Sequence, residues 1–322
     1  MRVNELHNII KQKNFIALAP MAGITDLPFR IISKRLGADV VYTEMISAKA
    51  LCYNNEKSVK MLAASDEEYP CVAQLFGSEP EVIASAVKKY INDSGFAGID
   101  INMGCPVPKV VKSGEGSALM RTPAKAYDII RAVKDATGLP VSAKIRSGWC
   151  ENEINAVEFA VLMQKAGADY IIIHPRTREQ FYTGHSDWNL IKQVKDALDI
   201  PVIASGDVTS PESAEKMINI TKADGIMIGR GSFGNPWIFA QIKQCRENGY
   251  YSKPSVEEIL TKINQHLDLS LADCCERLAI PNMRKHIFAY TKGMANSAKI
   301  RNMISAAETK AEVLDILNTL GK

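Results

Sequence analysis

The stretch GIDINMGCPVPKVV runs an apolar strand pattern, Ile99 to Asn102, straight into a glycine, a cysteine and a proline. Gly104 frees the backbone to turn, and Pro106 removes an N–H and fixes a dihedral. Cys105 is thereby held at the mouth of whatever sheet the strand joins, where a thiol can do chemistry. With an ordinary pKa of about 8.5 it is mostly protonated at neutral pH and can give up a proton without an activating base. The alternative is a buried, inert cysteine, and the neighbours have to decide.

Two later stretches can hold an anion. IPVIASGDV places Ser205, Gly206 and Asp207 after one apolar run, and ADGIMIGRGSFGNP places Gly229, Arg230 and Gly231 after the next. Glycines let backbone N–H groups approach a phosphate, a following helix start adds a favourable dipole, and Arg230 brings a bidentate cation. Either stretch alone reads as a turn; on adjacent strands they form a phosphate-site signature. The phosphate could be that of a sugar phosphate or of flavin mononucleotide. Pro20, Met21, Ala22 and Gly23 are small and apolar enough to lie along a flat ring, and Gln74 offers a donor and an acceptor to its polar edge. Lys144, between Ala143 and Ile145, points inward, where an ammonium would stabilise a reduced flavin or form the Schiff base of an aldolase. His174 is equally a satisfied core histidine or a ligand contact.

These residues need elements to position them. Short β-rich runs recur at Phe15 to Ala19, Val40 to Thr43, Cys71 to Phe76, Gly98 to Asn102, Val141 to Ile145, Tyr170 to His174, Val202 to Ser205 and Gly225 to Gly229. Between them lie segments of helical period: Glu79 to Tyr90, Thr122 to Lys134, Asn155 to Lys165 and Ser213 to Ile220, with Pro80 and Pro123 suited to first turns. Strand and helix alternating eight times is the arithmetic of a closed (β/α)8 TIM barrel, although an open doubly wound sheet alternates similarly. The small-residue turns LGADV, AGADY and KADG precede strands, as turns on the bottom face would. PMAG, QLFG, NMGCP, KIRSG, HPRTR, SGD and GRG follow strands, on the face where such barrels keep their active sites.

Residues 1–248 are accordingly expected to form the barrel. NGYYSKPS reads as a linker, and residues 249–322 as a small all-helical domain joined near Ile280 to Pro281 and near Asn296. A chain of 322 residues suits one large domain and one small one. The net charge of +3 is too small to argue for nucleic acid by itself. Between Arg277 and Ala307, however, no acidic residue occurs, while Arg277, Arg284, Lys285, Lys292, Lys299 and Arg301 are basic, with His286 and Tyr290 among them. Such a stripe suits phosphate contacts or a plain solvated helix face. No run approaches the roughly 20 apolar residues of a membrane span, and the N-terminal residues lack a secretory pattern. Seven scattered cysteines suggest free thiols in a cytoplasmic protein, and no Cys/His spacing suggests a metal.

The chain resembles the tRNA-dihydrouridine synthases, most closely their bacterial B-type branch, over nearly its whole length. PMAGITDLPFR, VAQLFGSEP, INMGCPVPKVVKSGEGSALM, SAKIRSG, HPRTREQFYTGHSDW, SGDV and GRGSFGNPWIF carry the resemblance. It implies a flavin mononucleotide barrel with a helical tRNA-binding domain, and a flavin reduced by NADPH (or NADH) that in turn reduces a tRNA uridine. Pro20, Met21, Ala22, Gln74, Lys144 and His174 would bind the flavin ring, and Ser205, Gly206, Asp207, Gly229 and Arg230 its phosphate. Cys105 would be the catalytic proton donor, Asn102, Arg176 and Arg178 would meet the substrate, and Arg284 and Lys285 the tRNA. No protein partner or membrane is implied. B-type resemblance suggests position 17 of the D-loop. The chain departs from the family pattern at Ser205, where an Asn is usual, and at Pro175, where a Gly is usual. Rival readings are a flavin barrel acting on a free pyrimidine, an aldolase using Lys144, and a non-catalytic RNA-binding protein.

Overall fold

The computed structural model describes residues 3–320. Its strands are β1 (Phe15–Leu18), β2 (Val41–Tyr42), β3 (Ile46–Ser47), β4 (Cys71–Phe76), β5 (Gly98–Met103), β6 (Val141–Gly148), β7 (Tyr170–Thr177), β8 (Val202–Ser205) and β9 (Gly225–Ile228). All pair in parallel, in the order β1-β9-β8-β7-β6-β5-β4-β2. The Leu18 N–H donates to the Val40 carbonyl at 2.9 Å and the Asp39 N–H to Ile16 at 2.8 Å, which joins β1 to the start of β2 and closes the barrel.

The eight expected runs are all strands, and β3 is an addition. The second stave of the barrel is two short pieces, β2 and β3, both paired to β4. Between them Thr43 Oγ1 accepts the Gln74 N–H at 2.9 Å, so a hydroxyl replaces the carbonyl that an unbroken strand would offer.

Inward-facing residues alternate with outward ones along each strand. Ala17, Tyr42, Val72, Tyr170, Ile172, Ile203 and Met227 fill the interior, and Leu6 and Ile10 of the helix Val3–Lys11 plug its floor. Gly225 has no side chain because the Phe15 ring occupies the space, 2.5 Å from where a β-carbon would stand. Ile16, Leu18, Ile99, Ile145 and Ile173 face outward against Ile129, Phe159, Ile191 and Met217 of the surrounding helices. Each such burial contributes roughly 1.5–3 kcal/mol, which is why these strands are apolar on both faces. The helices start where the chain supplies caps: Asp26 accepts the Phe29 N–H, and Ser210 and Ser255 form capping boxes.

Beyond the helix Ile238–Asn248, ended by Gly249 at φ +78°, come four helices: Val256–Asp273, Glu276–Tyr290, Ser297–Ala306 and Lys310–Leu317. They enclose a core of their own around Ile263, Leu267, Met283, Ile287, Ile304 and Val313. The expected joint at Ile280 to Pro281 is wrong, because the helix runs through Pro281 and the break comes at Cys274 and Cys275. Pro281 removes only the bond to the Arg277 carbonyl, near the helix start, while buried Ile280 and Met283 hold both sides of it. His286 and Tyr290 point into the core and do not join the basic stripe. The helices rest on the barrel at Gly234, where a β-carbon would fall 2.5 Å from the Ala289 carbonyl oxygen. No helix among the described residues is long and apolar enough to cross a membrane.

Candidate active site

The upper ends of β1, β6, β7, β8 and β9 surround a cavity of about 320 Å³. Pro20, Met21, Lys144, His174, Ser205, Gly206, Asp207, Gly229 and Arg230 line it, as do Ala19, Tyr182, Val208, Thr209, Met227 and Gly231. Ala22 is exposed outside the rim. Lys144 arrives from the middle of β6, and burial pushes its ammonium down to about 8 against the pull of Asp100. Burial, together with the charges of Lys144, Arg146, Arg176 and Arg230, holds His174 well below its ordinary pKa, so its imidazole is neutral.

Cys105 follows β5 on a half-buried turn. Asn102 Oδ1 accepts its N–H at 2.9 Å, and Ser117 donates from its N–H and its hydroxyl to the Cys105 carbonyl, at 3.1 and 2.9 Å. Gly116, at φ +59°, lies under the turn, where a β-carbon would come 3.0 Å from that of Cys105. Burial pushes the thiol pKa up, while the Val107 N–H and the charges of Arg146 and Lys144 act the other way. The thiol is therefore protonated at neutral pH.

A chain of hydrogen bonds fixes this turn from inside the barrel. Asn102 Nδ2 donates to Gln74 Oε1 at 2.9 Å, Gln74 Nε2 donates to Asp100 Oδ2 at 2.6 Å, and Ser142 Oγ donates to Asp100 Oδ1 at 2.5 Å. Burial pushes Asp100 up to about 7, opposed by Ser142, Gln74 and Lys144. Gln74, fully buried, thus spends its amide on Asp100 and Asn102 and does not line the cavity. Asn102, expected at the substrate, is likewise committed: its carbonyl holds Cys105 and its amide holds Gln74.

Arg176 also needs correction. It is 2% exposed and all of its N–H groups are used inside the protein. Nε donates to Thr183 O, Nη1 to Ser186 Oγ and Asp207 Oδ1, and Nη2 to Gly184 O and Asp207 Oδ2, all within 2.7–3.0 Å. The cause lies at Pro175. Between Arg146/His174 and Gly148/Thr177 the register slips, so β7 carries one residue more than β6 and the side chains past the slip are re-aimed. Burial alone would raise Asp207, but the bonds from Arg176 and the Ser186 N–H hold its carboxyl below the ordinary range. Arg178 lies 4.9 Å over the Trp149 ring, away from the cavity. Arg284 folds back to donate to the Ala307 carbonyl at 2.8 Å, which braces the helices and takes it from the surface. Lys285 turns toward the first barrel loop, 3.9 Å from where a β-carbon on Gly23 would be.

Arg146, Tyr182 and Asp100 also take part in the site. Arg146 donates from Nε to the Gly104 carbonyl at 2.7 Å and from Nη1 to the Thr177 and Phe181 carbonyls, tying the Cys105 turn to the loop after β7. Tyr182 walls the cavity mouth, its ring 6.3 Å from that of His174 and 4.7 Å from the Arg230 guanidinium. Asp100 had a visible signal, an acid in the middle of an apolar strand; Tyr182, in an irregular loop, had none.

The family model described as Dihydrouridine synthase (Dus) matches residues 17–321. A protein named probable tRNA-dihydrouridine synthase from Rickettsia conorii is 41% identical over 304 residues, covering 94% of this chain and 91% of its own. Proteins named tRNA-dihydrouridine synthase B from Proteus vulgaris and Pseudomonas putida are 39% and 36% identical, covering 95% and 94% of this chain and 94% and 90% of their own. In fold alone, the chain is similar to a 2-naphthoyl-CoA reductase complex (TM-score 0.56, 12% identity, 72% of this chain and 50% of that one). Morphinone reductase is similar in the same sense (TM-score 0.51, 12% identity, 75% and 88%). With a match that runs through the Cys105 turn, the cavity loops and the helices alike, the chain belongs to the tRNA-dihydrouridine synthase family.

Proposed function

We propose that this chain reduces the C5–C6 double bond of a D-loop uridine in tRNA, with flavin mononucleotide in the upper barrel cavity and NADPH as reductant. The observation that carries the reading is Cys105: a protonated thiol on a fastened turn, at the same barrel face as a cavity edged by two phosphate-type loops.

The residues fit the cofactor. Among the described residues, no hydrogen bond or ion pair reaches the Lys144 ammonium, which needs an acceptor from the cavity it lines. At Gly206, φ +119°, a β-carbon would stand 2.4 Å from Ser186 Oγ and 2.8 Å from the His174 ring, so only glycine lets the backbone come this close at the cavity wall. Asp207 is shared by two guanidinium groups, buried Arg176 at 2.8 Å and the more exposed Arg230 at 3.2 Å, so its charge is met and the remaining N–H groups of Arg230 are left, with the glycine backbones, for a phosphate. Pro20, Met21, Lys144 and His174 would hold the ring; Ser205, Gly206, Gly229 and Arg230 would hold the phosphate. Bound flavin mononucleotide would supply a hydride.

Uracil's C5–C6 double bond is conjugated to its C4 carbonyl, so it accepts hydride at C6 and gathers charge toward C5. Cys105 gives its proton to C5. The Val107 N–H, Arg146 and Lys144 then stabilise the thiolate left behind, the same groups that already pull against burial at that sulfur. Residues 249–322 form the tRNA-binding part in this reading, with Arg277, Lys292 and Lys299 exposed on it. The reduced uridine is assigned to position 17 by B-type resemblance.

Mapping dihydrouridine in tRNA from cells that lack and then regain this gene tests the reading: the modification should vanish at one D-loop position and return. Cys105→Ala should keep its flavin but lose about 10²–10⁴-fold in single-turnover uridine reduction. Unchanged turnover would remove the acid role.

A further inference from the structure

The seam between barrel and helices holds a cluster that the active site does not use. Asp26 caps the helix after β1, His266 lies in Val256–Asp273 and His286 in Glu276–Tyr290. One ligand-type atom from each lies within 4.8 Å of the others. The two histidines are 0% and 1% exposed, and His266 Nε2 and both nitrogens of His286 are buried without a hydrogen-bond partner. Polar atoms left buried and unmet in this way destabilise a fold unless something satisfies them. The Phe29 and Phe233 rings, 5.2 and 5.5 Å from that of His286, pack against it but offer it no polar atom.

We propose that Asp26, His266 and His286 bind a divalent transition metal ion, zinc best of all, which pins the helices to the first upper loop of the barrel. Two imidazoles, a carboxylate and a water make a four-coordinate zinc donor set. Bonds of about 2.0–2.1 Å would set tetrahedral ligand atoms about 3.4 Å apart, so the present 4.8 Å spread closes by about 1.4 Å at most. The orienting partners are already in place. Asp26 Oδ1 accepts the Phe29 N–H at 3.1 Å, and His266 Nδ1 lies 3.2 Å from Tyr290 Oη, which leaves Nε2 for the metal. Burial keeps both imidazoles in the neutral form that ligates. A cavity of about 530 Å³, walled in part by Asp26, Glu44 and Lys285, reaches the carboxylate side of the cluster, while the two histidines lie behind it. The Lys285 ammonium works against a cation there, and Glu44 works for one. The ligands come from three helices and both ends of the chain, so no local spacing announces them.

Full-length protein, stripped by a chelator and dialysed against zinc, should retain about one equivalent per chain by elemental analysis. Cobalt in its place should show the visible bands of a tetrahedral nitrogen and oxygen site, without sulfur-to-metal charge transfer. Asp26→Asn, which keeps the helix cap, and His286→Asn should each weaken zinc binding by more than about tenfold, and Tyr290→Phe by about tenfold. Zinc should raise the unfolding temperature of the wild type and leave that of Asp26→Asn unmoved. Should His286→Asn fail to fold, the Asp26→Asn comparison decides. Retention below about a tenth of an equivalent overturns the proposal, as does binding that survives Asp26→Asn and disappears when the cysteines are alkylated.

Discussion

The side-chain oxygen of Asn102 accepts the backbone N–H of Cys105 at 2.9 Å, so the turn that carries the thiol is anchored to the strand that precedes it. Through Gln74 and Asp100 the anchor reaches the barrel interior. Asn102→Ala strands the Cys105 N–H and one end of Gln74, at a cost of about 1–3 kcal/mol for each group left unmet. Urea unfolding should show the loss, and uridine reduction should fall further than stability explains, with flavin content kept. Full activity in a folded Asn102→Ala protein would mean that the turn holds itself.

The Arg176 and Asp207 pair should dominate stability near the cavity. Asp207→Asn leaves a guanidinium that is 2% exposed without its counter-charge, and removing one partner of such a pair costs about 3 kcal/mol, the low end because Asp207 is partly solvated. Because the folded carboxyl titrates below its ordinary range, the contribution is present at neutral pH and is lost as pH falls through that lowered value. Arg176→Met with Asp207→Asn should be more stable than Asp207→Asn alone, measured as a double-mutant cycle in urea.

Lys144 sets a pH dependence of the opposite kind. Its ammonium loses its proton as pH rises through about 8, so affinity for flavin mononucleotide should weaken across that range in the wild type and stay flat in Lys144→Gln. Stability moves the other way. Between about 8 and the ordinary 10.5 the unfolded chain holds the proton that the folded chain has released, so this group makes the protein more stable with rising pH. Fluorescence titration of flavin and urea melts at the same pH values separate the two trends.

For RNA contacts, the test belongs on Lys292 and Lys299, which are exposed, since Arg284 is bonded to Ala307 and its reversal would disturb the helices themselves. Lys292→Glu with Lys299→Glu should weaken tRNA binding and lower the slope of log affinity against log salt by about one per lost phosphate contact. NADPH oxidation without tRNA should not change. An unaltered salt slope would move the RNA to another face.

The barrel was legible because its strands are buried on both sides and therefore apolar throughout, with small-residue turns marking the bottom face. The split into β2 and β3 was not, since it depends on Thr43 meeting an N–H of Gln74, thirty-one positions along the chain. The cavity lining was largely legible from residues placed after strands. Arg176 is not legible because its direction is set by a slip at Pro175 and by Asp207 in the loop after β8. Asn102 and Gln74 were misread for a related reason: sequence shows that an amide is present, while only the neighbours show that both its ends are already taken.

The stretch 229–237 serves two places at once. Arg230 at its start edges the cavity, while Phe233 and Gly234 bear directly on the helix that runs to Tyr290, with a carbonyl of that helix where a side chain would be. Any side chain at position 234 would therefore have to lift the helix Glu276–Tyr290 or displace the loop. A single residue without a side chain thus sets how near the outer helices lie to the loop that edges the cavity.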